Sequence, residues 1–306
     1  MKLTRLLLAA GLVSAGLVAA PMTRATADVV PGCHATRTGY TCFYGPIVVP
    51  RRGSAEDYGV VEGLPEAGFI TSAWATLVRA DGTSVPHHAV HLHHAVWANL
   101  ESEDLTCAGW PDRFFATGKE RTKIVMPAGY GYRIDDGLLG LAYHLDSMHG
   151  RREIFLKLKL GFAPDPDGST LTNIRPVWLD VDNCSVDSEF DVPRNLDPGR
   201  HKEIWDFAMP HSGRFVALAG HLHDGGLRLI LRNKTTSAPM FTSRAVYEYR
   251  WNLTAMTTYA DADGIPVAAG DVLELTAVYN DTRDGPGDLA WANVMGIMVG
   301  AFVPGE

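Results

Sequence analysis

The sequence predicts an all-β protein built as two β-sandwiches, and three observations carry that reading. β-branched and apolar residues alternate with polar ones in runs of strand length, Gly, Pro, Asn and Asp turns separate the runs at short intervals, and helical periodicity is scarce. At 306 residues the chain is longer than one hydrophobic core usually supports, which favours two half-sized units.

In chain order, residues 1–27 read as a signal peptide rather than a helix of the folded protein. Lys2 and Arg5 give a positive start, residues 6–20 form an apolar run, and Ala25-Thr26-Ala27 offers a small-x-small cleavage site. The mature chain is therefore expected to begin near Asp28 and to be secreted. No later stretch approaches ~20 uninterrupted apolar residues, so no membrane partner is expected after cleavage.

Strands are expected over residues 70–79, 85–97, 154–160, 214–222, 227–232 and 272–279, where the apolar alternation is clearest. Asp81-Gly82, Asp136-Gly137, Asp224-Gly225 and Asn280-Asp281 supply turn chemistry between such runs. Residues 185–198, polar and proline-containing, are the expected linker, giving an N-terminal sandwich over 28–190 and a C-terminal one over 191–306. Residues 293–301 form a last apolar strand, in which Met295 taken alone reads as core filling.

A net charge of -8 without a Lys/Arg cluster sets nucleic acid aside as a partner. The four cysteines all lie in the exported part, where oxidising conditions permit disulfides. Of the three possible pairings, Cys33 with Cys42 as a local clasp and Cys107 with Cys184 is favoured, because the first two are near neighbours. Trp97, Trp110, Trp205 and Trp291 lack the repeated spacing of a polymer-binding platform and read as packing.

The chemistry concentrates in the histidines. Of twelve, His87, His88, His91, His93 and His94 fall within eight residues of one expected strand. Any one of them is more readily a surface or core residue than a ligand. Five together are not, since a solvated strand face would use Thr, Lys and Glu. On an ideal strand His87, His91 and His93 share one face and His88 and His94 the other, so geometry alone would pick His91 with His93. A second cluster, Gly220-His221-Leu222-His223-Asp224-Gly225, sets two imidazoles on one side of a strand end, a common chelating device. Asp224 beside it reads first as a turn residue and second as a group that could orient a ligand ring. A thioether from Met295 would complete a soft site suited to reduced copper.

The order of these features, His-His, a distant single His, H-x-H and a late Met, resembles the copper type II ascorbate-dependent monooxygenases, the family of peptidylglycine α-hydroxylating and dopamine β-monooxygenases. His93-His94-Ala95-Val96-Trp97 matches the family's His-His pair, and His144 in Tyr143-His144-Leu145-Asp146 its third ligand. His221 and His223 match its H-x-H, and Met295 its methionine. His91-Leu92-His93-His94 and the phrase Phe115-Ala116-Thr117-Gly118-Lys119-Glu120-Arg121 are similar to the stress-up-regulated nodulin-type branch and its bacterial relatives. The resemblance runs from about Ile70 to Val303. It implies a tandem of jelly-roll-like sandwiches with two mononuclear copper sites, one at His93, His94 and His144 with His91 in reserve, the other at His221, His223 and Met295.

The activity so implied is hydroxylation of a C–H bond with O₂ and an external reductant such as ascorbate. Oxygen chemistry falls at the Met-containing site, and electrons come from the all-imidazole one. Ala219 and Val299 stand where the family's peptide-recognising arginine and tyrosine fall, so peptide amidation is not implied, and the substrate is left as a small-molecule or peptide-like compound. The alternative is an exported copper-binding or stress-related protein that keeps the fold without catalysis.

Overall fold

Alternating buried and exposed side chains build strands throughout, and no helix occurs among the described residues. The structure is a computed structural model that describes residues 28–305 except 122, 136, 148–149, 166–167, 169, 186–187, 195–198, 249–251 and 283–288. The expected signal peptide, the Asp136 turn position and parts of the expected linker lie outside these residues. No helix among the described residues is long and apolar enough to cross a membrane.

The first part of the chain carries β1 (Gly32–Thr36), β2 (Gly39–Val49), β3 (Gly53–Glu62), β4 (Gly68–Val78), β5 (His91–Glu103), β6 (Pro111–Gly118), β7 (Ile124–Val125), β8 (Tyr130–Ile134), β9 (Leu138–Ser147), β10 (Arg152–Pro164) and β11 (Thr172–Asn173). These form two sheets. One has the order β1-β2-β10-β4-β8-β11 with β7 also on β4, and the other β3-β9-β5-β6. Leu77, Leu156 and Leu158 from the first meet Leu92, Trp97, Phe115 and Leu145 from the second in one buried core. Trp97 at its centre is fully buried, the packing role expected of it. β3 closes the second sheet as an edge, and its Glu56 and Asp57 keep that edge hydrated.

The remainder carries β12 (Arg175–Asp180), β13 (Phe190–Pro193), β14 (Arg200–Ala208), β15 (Gly213–Leu222), β16 (Gly226–Asn233), β17 (Ala238–Glu248), β18 (Asn252–Met256), β19 (Thr258–Val267), β20 (Val272–Asn280), β21 (Leu289–Val294) and β22 (Gly296–Pro304). Sheets β12-β22-β15-β19 and β14-β20-β16-β17-β18 share a second core around Phe215, Leu218, Leu229, Leu275 and Phe302, with β13-β21 as a separate pair. The sheets change over between Asn173 and Arg175, upstream of the 190/191 boundary read from the sequence.

A smaller cluster joins the two sets of sheets. Val96, Trp110 and Ala116 from the β5–β6 region pack against Trp178, Met295, Ile297 and Val299. The Cys107–Cys184 disulfide crosses the same seam, and Cys33–Cys42 clasps β1 to β2, so both favoured pairings are formed. Two disulfides fit an oxidising, extracellular compartment.

Two expected strands differ from the sequence reading: the run 293–301 is interrupted at Met295, which separates the end of β21 from β22, and another is shorter than read. The run 85–97 begins as a strand only at His91, because Pro86 supplies no N–H for a ladder and its carbonyl instead accepts the Ala89 N–H at 3.0 Å, closing a turn over His87 and His88.

Candidate metal centre

Strand β5 sets the geometry of the site. Its register with β9 pairs His91 with Asp146 and Leu92 with Leu145, then skips one residue and pairs His94 with His144. The extra residue is His93, so the strand carries a bulge there. Leu92 and Ala95 on either side stay in the core while His93 and His94 both turn outward, half-buried. Two adjacent histidines, which a flat strand would send to opposite faces, thus share one.

His93, His94 and His144 offer ring nitrogens that all lie within 4.8 Å of one another, and the ring nitrogens of His91 and His93 lie within the same distance of each other and of an Asp146 carboxylate oxygen. The His93 and His144 rings stack with centroids 4.5 Å apart, and His94 stands edge-on to His144 at 5.8 Å. Asp146, two residues beyond His144 on the same strand face, takes the Ser54 hydroxyl at 2.7 Å and lies 3.3 Å from His144 Nε2 and 3.7 Å from His93 Nε2. Burial alone would raise the Asp146 carboxyl, but the adjoining His144 and Ser54 bring it down to about 2, and the carboxylate in turn raises His144. His87 and His88, in the turn before β5, are not among these groups.

The second set arrives from the other sheets. His221 ends β15 and His223 follows it, with ring centroids 5.2 Å apart. His223 sits edge-on to His93 at 4.5 Å, so both histidine sets form one continuous cluster across the seam. The Tyr279 hydroxyl accepts the His223 N–H at 2.9 Å and donates to the Met295 carbonyl at 2.6 Å, tying H-x-H to the late methionine. Met295 follows β21 and lies one residue outside the Leu222–Gly296 pair, alongside His223 in register, with its side chain buried in the seam. Asp224 does not reach a histidine. It takes Lys119 Nζ at 2.7 Å and the Leu253 N–H at 3.2 Å, while Gly225, at φ +90°, makes the turn against Trp291.

Five buried imidazole nitrogens in this cluster make no hydrogen bond: His93 Nδ1, His94 Nδ1, His221 Nε2, His223 Nε2 and His144 Nε2, the last keeping only its ion-pair contact with Asp146 at 3.3 Å. A buried ring nitrogen without a hydrogen bond costs about 1–3 kcal/mol, so five gathered in one place describe a donor set rather than a packed core. Burial and neighbouring positive charge hold His93 near 4 and His94 near 3, and press His223 well down. These three rings are therefore neutral at physiological pH, as metal ligation requires. An imidazole set suits copper, and the histidines gathered here fit that ion.

Sequence reasoning did not assign roles to Asp146, Gly118, Glu120 or Tyr279. Asp146 had a signal, since a residue two beyond His144 on a strand shares its face. The others act through contacts between sheets.

No family model matches the sequence. The chain is 27% identical over 252 residues to a probable copper-dependent oxygenase of Cochliobolus lunatus, a match covering 76% of this chain and 78% of that one. It is 26% identical over 257 residues to a probable copper-dependent oxygenase of a Phoma species, covering 77% of this chain and 64% of the relative, under two thirds of its length. A solved structure of infectious bursal disease virus aligns with a TM-score of 0.24 at 12% identity, over 92% of this chain and 75% of that one, and carries no argument. At the level their names share, the two sequence relatives support kinship with a copper-oxygenase-like family.

Proposed function

We propose that this is an exported copper-dependent monooxygenase, hydroxylating a C–H bond of a small-molecule or peptide-like substrate with O₂ and an external reductant such as ascorbate. The observation that carries the reading is the gathering, at the seam between sheets, of five buried imidazole nitrogens that make no hydrogen bond. The names of the two sequence relatives support it. The overall reaction balances as R–H, O₂, two electrons and two protons giving R–OH and water, with the reductant supplying the electrons.

His93, His94 and His144 would hold one ion, and His221 and His223 with Met295 the other. Copper so held supplies one-electron redox chemistry and reactivity toward O₂. The protein's part is positional. The β5 bulge aims two adjacent rings one way, Asp146 steadies His144, and the Tyr279 hydroxyl fixes the backbone of His223 against that of Met295. In this reading His93 belongs to the electron-supplying set and His223 to the oxygen-reacting one, and the contact between their rings, 4.5 Å apart, supports a short path between them. In this reading residues 1–27 direct export. The two sets of sheets are two jelly-roll-like sandwich domains in tandem, with the N-terminal copper site in 28–190 and the H-x-H and Met295 site in 191–306.

The second reading is an exported copper-binding or stress-related protein of the same fold without catalysis. It is favoured by Ala219 and Val299, paired across β15 and β22, which offer no polar group to hold a substrate.

The test is the copper content per chain after loading, for the parent protein and for His93→Ala and Met295→Ala. Two coppers in the parent, each substitution weakening a different one, with ascorbate-dependent oxygen uptake, is the expected result. One copper or none, with Met295→Ala silent, would reduce Met295 to packing. Two coppers without oxygen uptake would select the non-catalytic reading.

A further inference from the structure

Glu120 is a carboxylate buried at the seam, 4% exposed, just beyond the end of β6. Both of its oxygens lie 3.1 Å from His221 Nδ1, and Oε1 also accepts the Gly118 N–H at 2.9 Å. Glu120 belongs to the first set of sheets and His221 to the second, so the contact spans the seam. The residues before it work to the same end. Lys119 reaches across to Asp224 at 2.7 Å, pinning the turn that follows H-x-H, and Gly118 leaves the space the His221 ring occupies.

A carboxylate can only accept hydrogen bonds, so the neutral His221 ring must carry its proton on Nδ1. Its other nitrogen, Nε2, is then a bare lone pair, and it is one of the five buried nitrogens that make no hydrogen bond. We infer that Glu120 is the positioning residue of the H-x-H site: it selects the Nδ1–H form of His221, fixes the ring plane, and leaves Nε2 as the metal-facing donor. Asp224, the acidic residue nearest H-x-H in sequence, is engaged by Lys119 and the Leu253 N–H instead. The site in the second set of sheets is thereby completed by a residue of the first. A carboxylate hydrogen-bonded to the far nitrogen of a ligand histidine raises the basicity of the donor nitrogen, and its removal typically changes metal affinity about 10–100-fold.

The consequence for copper rests on the proposed function, but the tautomer does not, so the two are tested apart. In the metal-free protein, ¹⁵N-detected imidazole spectra should show His221 protonated on Nδ1. In Glu120→Gln the amide oxygen keeps the Gly118 N–H and the amide nitrogen presents a donor to Nδ1, so the His221 proton should move to Nε2. Glu120→Asp, still a carboxylate, should keep it on Nδ1. The signals of His34 and His201, held by Val30 and Glu203 away from the cluster, report whether each variant is folded.

Copper titration of the same proteins should show binding at the H-x-H site weakened tenfold or more in Glu120→Gln, with the His93, His94 and His144 site retained. A bare Nδ1 in the parent, or an unmoved proton in folded Glu120→Gln, overturns the proposal whether or not copper binds. If Glu120→Gln does not fold, a proton shifted to Nε2 in Glu120→Asp overturns it equally. A parent that takes up no copper while showing the expected tautomers contradicts the proposed function and leaves the positioning role of Glu120 standing.

Discussion

Gly118 shows how little room the site has. A Cβ built there would run into the His221 ring and come within 2.8 Å of the His93 carbonyl oxygen. One residue thus touches both histidine sets, and only hydrogen fits in place of a side chain. Gly118→Ala should destabilise the metal-free protein by about 1–3 kcal/mol, since neither a strand carbonyl nor a confined ring can retreat cheaply. It should also weaken copper binding at His221 and His223. Urea denaturation with a copper titration checks this, and unchanged stability would mean the seam is looser than its distances indicate. This residue illustrates what the sequence left hidden. In the sequence Gly118 and Glu120 figure only within the phrase 115–121, and nothing local gives them a role, because the ring both accommodate comes from a strand about a hundred positions away.

At the scale of elements, β5 was legible in large part. Its histidine cluster was plain in the sequence, but counting faces along an extended chain picked His91 with His93; only the resemblance paired adjacent His93 and His94, and the register skip at His93 supplies the bulge that pair needs. The strand's start was misread, because Val85 and the residues after it continue the apolar alternation while Pro86 ends the ladder. The all-β class, the Asp224-Gly225 turn and the two disulfide pairings also followed from local chemistry. The seam did not. Val96, Ala116 and Val299 look like ordinary outward strand positions, and only the docking of one sheet on another makes them core. The contact of His93 with His223 has the same origin, which is why the sequence suggested two separate sites while the structure sets the two groups of rings against each other.

For the molecule as a whole, one buried carboxyl should shape the response to pH. Asp112 on β6 is fully buried and takes the Tyr132 hydroxyl at 3.0 Å. Burial raises its carboxyl to about 6, only partly offset by Tyr132 and Arg175. The folded state therefore holds a proton that the unfolded chain has already lost between about pH 4 and 6, so this group's contribution to stability falls as pH rises through that window. Asp112→Asn, which keeps an acceptor for Tyr132, should be more stable than the parent at pH 7 by on the order of 2 kcal/mol, with the gap closing toward pH 4. Denaturation curves of both proteins across that range measure it, and a gap that does not change with pH would show that Asp112 is ionised in both states alike.

The central claim is that the rings on β5 and β9 and those at the end of β15 together hold copper. Anomalous scattering at the copper edge from crystals of the loaded protein tests it most directly. The account predicts copper peaks at bonding distance from the nitrogens that make no hydrogen bond, on His93, His94 and His144 and on His221 and His223. Loaded crystals with copper only at other residues, or with none in this cluster, would contradict it.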